Sequence, residues 1–156
     1  MKEIFETLKR NLMGKWRGEG FAKYPTIQST FYTEALEFKP DEVKDAIYFN
    51  QKSAYKNSTE KNGQTVFWDT GFIVLKEERI LLASAQIGGR TETYELKHFA
   101  NEKFIFNTIN IQNDPKTITA QRIFKIKDNV LEYEVNMSTH QNEHFENHLK
   151  AKLDKS

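Results

Sequence analysis

Apolar residues near the start of the chain follow a helical spacing. Ile4, Phe5, Leu8 and Leu12 lie among charged residues at intervals that place them on one face of an α-helix. Gly14 follows, and glycine is common just beyond a helix C-terminus. The pattern therefore predicts a short amphipathic helix that ends near Gly14. We expect this helix to cover one end of the fold that follows it.

Beyond Gly14 the pattern changes to short runs of β-branched and aromatic residues. Asn, Asp, Gly and Lys clusters separate these runs, as in successive hairpins, and we count roughly ten candidate strands. No second helical period of useful length follows. The clearest predicted strands are Ala46–Tyr55, Thr65–Leu75, Arg79–Gln86, Arg90–Lys97, Lys103–Ile109, Thr117–Ile126 and Val130–Met137.

The run with the strictest alternation shows how these strands are buried. Leu131, Tyr133, Val135 and Met137 alternate with polar residues, which predicts one buried face and one solvated face. An all-β, antiparallel, up-and-down barrel formed by residues 1–156 as a single domain satisfies this pattern and leaves no exposed edge. A barrel of roughly ten strands is wide enough to hold a ligand cavity. A flattened sandwich filled by side chains is the alternative.

Composition narrows the classes of partner. The 156 residues include 23 Lys and Arg against 22 Asp and Glu, and this net charge of +1 predicts neither nucleic acid nor an anionic membrane as a partner. Cysteine is absent, which excludes disulfides and thiolate ligands. The first residues lack the apolar segment of a secretory leader, and no run is long and apolar enough for a membrane span, so we expect a cytoplasmic protein.

The chain has four histidines, and three of them are regularly spaced. His140, His144 and His148 would share one face of a helix, an arrangement that suits zinc. The spacing lacks the acidic partner of known zinc signatures, and a polar loop rich in His and Asn is the alternative interpretation. His98, beside Phe99 at a predicted turn, is expected to face solvent.

A dense motif follows the predicted helix, with G-K-W-R-G-E-G at residues 14–20 and Y-P-T-I at residues 24–27. Alternating glycines leave one side of a strand bare for close backbone approach, and the tryptophan on that same side is expected to plug the barrel end. The proline predicts a rigid corner, although its neighbours could simply satisfy turn backbone groups. The motif residues are Gly14, Trp16, Gly18, Gly20, Tyr24, Pro25, Thr26 and Ile27.

This motif resembles the signature of the nitrobindin family. Members of that family are haem-binding β-barrels similar in shape to fatty-acid-binding proteins. Further resemblance lies in D-T-G-F at residues 69–72, in A-Q-I-G-G at residues 85–89 leading to Glu92, and in H-L-K-A-K-L at residues 148–153. It therefore spans the chain from about Leu12 to Leu153. The resemblance implies a barrel of about ten antiparallel strands with a ferric haem b near its mouth.

The resemblance also implies site residues. His148 matches the family's axial histidine, and Thr26 and Ile27 match positions beside the cofactor.

One local pattern conflicts with this role of His148. If Leu149 and Leu153 face the interior, strict alternation places His148 outside the barrel. A β-bulge before Leu149, or a strand that starts after His148, would remove the conflict.

The family resemblance implies a protein that binds nitric oxide, isomerises peroxynitrite to nitrate, or does both. The iron would carry this chemistry, so no catalytic side chain is predicted, and no G-x-S-x-G elbow or P-loop is present. The alternative is a non-enzymatic carrier of a fatty acid or other apolar molecule in a phenylalanine-lined cavity. The orientation of His148 discriminates between these functions. The sequence leaves open whether two barrels pair into a homodimer.

Overall fold

The computed structural model describes residues 1–23 and 28–156 of the chain. The described part contains one α-helix followed by strands, which confirms the predicted short N-terminal helix and roughly ten-stranded all-β fold. The elements are α1 (Lys2–Leu12), β1 (Gly14–Ala22), β2 (Thr30–Pro40), β3 (Ala46–Lys56), β4 (Thr65–Lys76), β5 (Arg79–Gln86), β6 (Thr91–Ala100), β7 (Lys103–Gln112), β8 (Thr117–Lys127), β9 (Val130–Thr139) and β10 (Glu146–Lys155).

The strands form a closed antiparallel barrel. Each strand pairs with its neighbours in sequence, and β1 closes the barrel against β10, with Trp16 opposite Lys155 and Ala22 opposite Leu149. Closure pairs both sides of every described strand, so these strands leave no edge for another chain to extend. The up-and-down barrel is therefore confirmed, and the sandwich alternative is wrong.

The two ends of the barrel have different connections. At the end near α1, the two-residue turns 77–78, 101–102 and 128–129 have φ angles of 51° to 62° at both positions. Such turns match the twist of tight hairpins. The opposite end, which we call the mouth, carries connections that are longer than these two-residue turns. They include residues 57–64, 87–90, 113–116 and 140–145.

Helix α1 covers the end opposite the mouth. Phe5, Leu8 and Leu12 are fully buried against the barrel core. The indole Nε1 of Trp16 donates a hydrogen bond to the Leu12 carbonyl oxygen at 2.7 Å, which ties the first strand to the helix end. This confirms the predicted cover and the predicted plug. No helix in residues 1–23 or 28–156 is long and apolar enough to cross a bilayer.

Aromatic rings fill much of the barrel interior. The ring of Phe124 packs against Phe38 and Phe106 with centroid distances of 6.0 Å and against Tyr133 at 5.2 Å. The four apolar positions predicted to face inward on β9 are all buried. Contacts between rings therefore occupy interior space in which the width of the barrel predicted a ligand cavity.

The glycines of β1 allow close packing. A Cβ atom on Gly18 would collide with the backbone carbonyl oxygen of Lys152, and a Cβ atom on Gly20 would collide with the ring of Tyr32. No larger residue fits either position without a backbone shift. The predicted bare side of the first strand is thereby confirmed.

Candidate functional site

His148 sits at a β-bulge. The pairing of β10 with β9 changes register between Asn147, which faces Asn136, and Leu149, which faces Val135. His148 is therefore an extra residue on β10, and both it and Leu149 are buried, each with 2% of its surface exposed. The bulge removes the conflict that strict alternation posed.

Two neighbouring contacts hold the bulge in place. The side-chain amide of Asn147 donates to the Asn136 side-chain oxygen at 3.0 Å and to the Leu149 carbonyl oxygen at 3.1 Å. The backbone N–H of Lys23 donates to the His148 carbonyl oxygen at 2.8 Å. The end of the β1 segment therefore contacts the bulge just before the Y-P-T-I motif. Residues 24–27 of that motif lie outside the described residues, so their assignment to the site stays a prediction.

A cavity of about 430 Å³ opens at the mouth, within the range of roughly 300–1,000 Å³ found for small-molecule sites. It combines polar groups with apolar surface from a proline and a methionine. No phenylalanine of the described part lines it, unlike the cavity expected for an apolar-ligand carrier. Its lining residues are Arg90, Asp114, Pro115, Lys116, Thr117, Met137, Thr139, His140, Gln141 and His148.

The environment of His148 favours its neutral form. Burial lowers the pKa of the imidazole, Glu146 opposes that shift, and the positive charge of Arg90 reinforces it. A neutral imidazole has a lone pair available for a metal, whereas a protonated one does not. His148 is therefore a suitable metal ligand at neutral pH.

A chain of ion pairs runs from the mouth into the barrel core. Arg90 pairs with Asp114 at 2.8 Å and also with Glu92. Glu92 in turn pairs with Arg122 at 2.9 Å, and Arg122 pairs with Asp69 at 2.6 Å. Arg122, Glu92 and Asp69 are almost completely buried, so each charge needs its partners. The residues that line the mouth are thus linked electrostatically to the centre of the barrel.

Neutral groups complete this chain. The Tyr94 hydroxyl donates to Glu92 at 2.7 Å, and the guanidinium of Arg122 donates to the Ser84 hydroxyl at 3.2 Å.

Burial raises the pKa of Glu92, but the charges of Arg122 and Arg90 outweigh burial and hold that pKa below its usual value. Glu92 is therefore an anion at neutral pH.

Neither Arg90 nor Arg122 was predicted as a site residue from the sequence. Glu92 and Asp69 belong to stretches that carry the family resemblance, but nothing in those stretches identifies a cationic partner. One signal was available, because Arg122 shares its inward parity with Ala120 and Phe124 on β8. A charged residue at an inward-facing position predicts a buried partner of opposite charge.

Asp114 organises the connection between β7 and β8. Its carboxylate accepts hydrogen bonds from the Lys116 backbone N–H at 3.0 Å and from the Thr117 hydroxyl at 2.7 Å. The Lys116 carbonyl oxygen accepts the backbone N–H of His140 at 3.1 Å. Arg90, by pairing with Asp114, therefore supports two adjacent segments of the mouth.

The remaining histidines do not form a metal cluster with His148. His140 and His144 are exposed and lie in the irregular connection between β9 and β10, so the helical zinc arrangement is wrong. No group of three or more potential ligands is assembled within residues 1–23 and 28–156. His98 is exposed as predicted, although it lies within β6 near a register shift and not in a turn.

Comparison with known proteins identifies the family. Residues 8–155 match the family described as "THAP4-like, heme-binding beta-barrel domain". The chain belongs to this family of haem-binding barrels. The resemblance to nitrobindins drawn from the motifs is thereby confirmed, and the apolar-carrier alternative is not favoured.

Named relatives of this haem-binding barrel support the same conclusion. The chain is 32% identical over 146 residues to a peroxynitrite isomerase Rv2717c from Arabidopsis thaliana, covering 92% of this chain and 84% of the relative. It is 30% identical over 134 residues to peroxynitrite isomerase 1 from Mycolicibacterium paratuberculosis, covering 81% and 80%.

Solved structures share the architecture of the haem-binding barrel. The crystal structure of Rv2717c from M. tuberculosis superposes with a TM-score of 0.79 at 20% identity, covering 97% of each chain. The S-type phycobiliprotein lyase CPES from Guillardia theta superposes with a TM-score of 0.59 at 10% identity, covering 99% of this chain and 92% of the lyase. At these identities the likeness concerns the fold alone.

The mouth of this haem-binding barrel fits the chemical needs of haem. Haem requires a nitrogen donor, an apolar slot for the macrocycle and a polar rim for its carboxylates. The buried imidazole of His148 supplies the donor, and Pro115 and Met137 supply apolar surface. Lys116 and Gln141 are exposed polar residues at the rim. His148 is therefore the residue of this cavity that could hold the iron of a haem.

Proposed function

We propose that the mouth holds a ferric haem b with His148 as axial ligand, and that the protein isomerises peroxynitrite to nitrate. The observation that carries this proposal is the bulge that turns His148 into the mouth cavity. Family membership supports haem binding. The names of the relatives support peroxynitrite as the substrate.

The residues of the mouth have distinct tasks in this proposal. His148 presents a neutral imidazole at a fixed backbone position, since its carbonyl oxygen is held by Lys23. Arg90 pairs with Asp114 and Glu92 and thereby holds the cavity wall beside His148 in place. When bound, a ferric haem supplies the iron at which peroxynitrite rearranges to its isomer nitrate. Reactant and product contain the same atoms, so no co-reactant is required.

Haemin titration followed by Soret absorption tests the cofactor. We expect a saturable shift at one haem per chain for the wild-type protein. His148→Ala should abolish this shift or weaken it strongly, because no other buried nitrogen donor is positioned in the described part of the cavity. His98→Ala is the matched control, since His98 is exposed and lies outside the cavity. An unchanged titration of His148→Ala would contradict the axial assignment.

Stopped-flow mixing of the ferric complex with peroxynitrite tests the reaction. The wild-type complex should accelerate peroxynitrite decay and raise the yield of nitrate relative to nitrite, compared with protein lacking haem. Decay at the background rate would remove the isomerase proposal while leaving haem binding intact. Nitric oxide binding to the same complex and cytoplasmic localisation stay predictions.

A further inference from the structure

The cavity wall contains two cations with different surroundings. Arg90 is largely buried, and its terminal nitrogens are already paired with Glu92 and Asp114. Lys116 is exposed, and its ammonium forms no ion pair with any residue of the described part. A guanidinium balanced by two carboxylates has little charge left for a third carboxylate. Lys116 is therefore the cation that remains available to a ligand in the mouth.

The backbone of Lys116 is fixed although its side chain is exposed. Its N–H donates to Asp114 and its carbonyl oxygen accepts the N–H of His140. Pro115, which directly precedes Lys116, restricts the backbone further. The backbone atoms that carry the Lys116 side chain therefore have a defined position on the rim. Holding the backbone in advance reduces the entropy that a bound ligand must remove.

The positions of His148 and Lys116 define the direction of a ligand in the cavity. His148 is buried and Lys116 is exposed, and both line the same space. A ligand that binds both residues must present a metal to the buried His148 and an anionic edge to the exposed Lys116. Haem b has this layout, because its two propionates project from one edge of the macrocycle.

We propose that Lys116 binds a propionate of the haem at the rim, and that Arg90 is a positioning residue that holds the Lys116 segment through Asp114. This inference rests on the proposed haem binding. Lysine suits the task because it is a compact point charge with three donors on a flexible stem, which follows a carboxylate without requiring one fixed geometry.

The test compares haemin with haemin dimethyl ester, whose propionates carry no charge. Dissociation constants of both compounds are measured for the wild-type protein, Lys116→Met, Lys116→Arg and the control Lys127→Met. Lys127 is also exposed but lies at the end of β8 away from the mouth. Lys116→Met should weaken haemin by about two- to fivefold, as expected for an exposed ion pair, and leave the ester unchanged.

Further measurements distinguish a charge effect from a structural one. Lys116→Arg should retain most of the haemin affinity, and the loss in Lys116→Met should shrink in about 1 M salt, where charges are screened within about 3 Å. Metal-free protoporphyrin IX should show the same dependence on Lys116, because the proposed contact does not involve iron. Arg90→Met should weaken haemin and its ester to a similar degree, since it loosens the segment itself.

The outcomes separate this inference from the proposed function. If wild-type protein binds both compounds but Lys116→Met affects them equally, or affects neither, the role of Lys116 is overturned while haem binding stands. If Arg90→Met weakens only haemin, Arg90 is the carboxylate receptor and the proposed division of roles is wrong. Absence of saturable haemin binding by wild-type protein would overturn the proposed function and this inference together.

Discussion

At the scale of the residue, the site depends on one inserted position in β10. Sequence resemblance identified His148, but its direction depends on how β10 pairs with β9. That register is a property of two strands, and the single-strand pattern of Leu149, Ala151 and Leu153 indicated the opposite face. The sequence could therefore single out this candidate residue, whereas its orientation required the structure.

Asn147 provides a test of the bulge. Asn147→Ala removes hydrogen bonds to the Asn136 side chain and the Leu149 carbonyl oxygen, and it should lower the free energy of unfolding by about 0.5–1.5 kcal/mol. Haemin affinity should fall as well, because the bulge positions His148. Chemical denaturation and Soret titration measure the two effects. Asn110→Ala, at an exposed position of β7, is the control. Unchanged haemin affinity would show that the bulge persists without these bonds.

Glu34 makes stability depend on pH. Burial raises the pKa of its carboxyl to about 7, although the hydrogen bond from Gln51 and the charge of Arg122 oppose the shift. The folded-state pKa then lies above the unfolded value of about 4.3. Because the folded protein binds this proton more tightly, the contribution of Glu34 to stability is largest at low pH and is lost as pH rises through 7.

Glu34→Gln should remove this dependence. The variant and the wild type should unfold at similar denaturant concentrations near pH 5, and the variant should be more stable at pH 8, by on the order of 2–3 kcal/mol. Denaturant unfolding at several pH values measures the difference between the two proteins. His148 has a lowered pKa in the folded state, so it lowers the free energy of unfolding as pH falls. This contribution is the same in the variant and the wild type, and it cancels when their free energies of unfolding are subtracted. A constant difference across this range would mean that Glu34 does not titrate there.

At the scale of the element, β1 determines how closely the barrel can close. Its inward positions alternate between Trp16, two glycines and Ala22, so a large ring lies near α1 and little side-chain volume lies nearer the mouth. The sequence pattern predicted this bare side correctly, because glycine spacing is a local signal. The two partner strands were not predictable from that spacing alone.

Gly18 provides the corresponding test. Gly18→Ala places a methyl group against the Lys152 carbonyl oxygen and the Leu153 backbone, so β1 and β10 must separate. We expect a loss of about 1–3 kcal/mol in the free energy of unfolding, as for other overpacked positions. Gly88→Ala is a matched control, since a Cβ atom at Gly88 meets no atom within 4 Å. Comparable stability of the two variants in urea would contradict the close-packing argument.

At the scale of the whole molecule, the barrel has one end closed by α1 and one end open for a ligand. Strand number and closure followed from the periodicity of the sequence, but the contents of the barrel did not. The width of the barrel indicated an internal cavity, whereas buried aromatic rings and the ion pairs of Arg122 occupy much of the interior. Such pairs connect residues from β4, β6 and β8, and no local pattern encodes a contact among three strands.

Substitution of Arg122 tests whether the ion pairs of the core affect ligand binding at the mouth. Arg122→Met leaves Asp69 and Glu92 buried without their shared cation, and it should lower the free energy of unfolding by about 3–5 kcal/mol. Adding Asp69→Asn and Glu92→Gln removes the stranded charges and should recover much of that loss in denaturant unfolding. The triple variant also deprives Arg90 of a charged partner, leaving Asp114 to hold it. Haemin affinity should therefore stay below the wild-type value even where stability recovers. Full recovery of both quantities would show that the core charges act on stability alone.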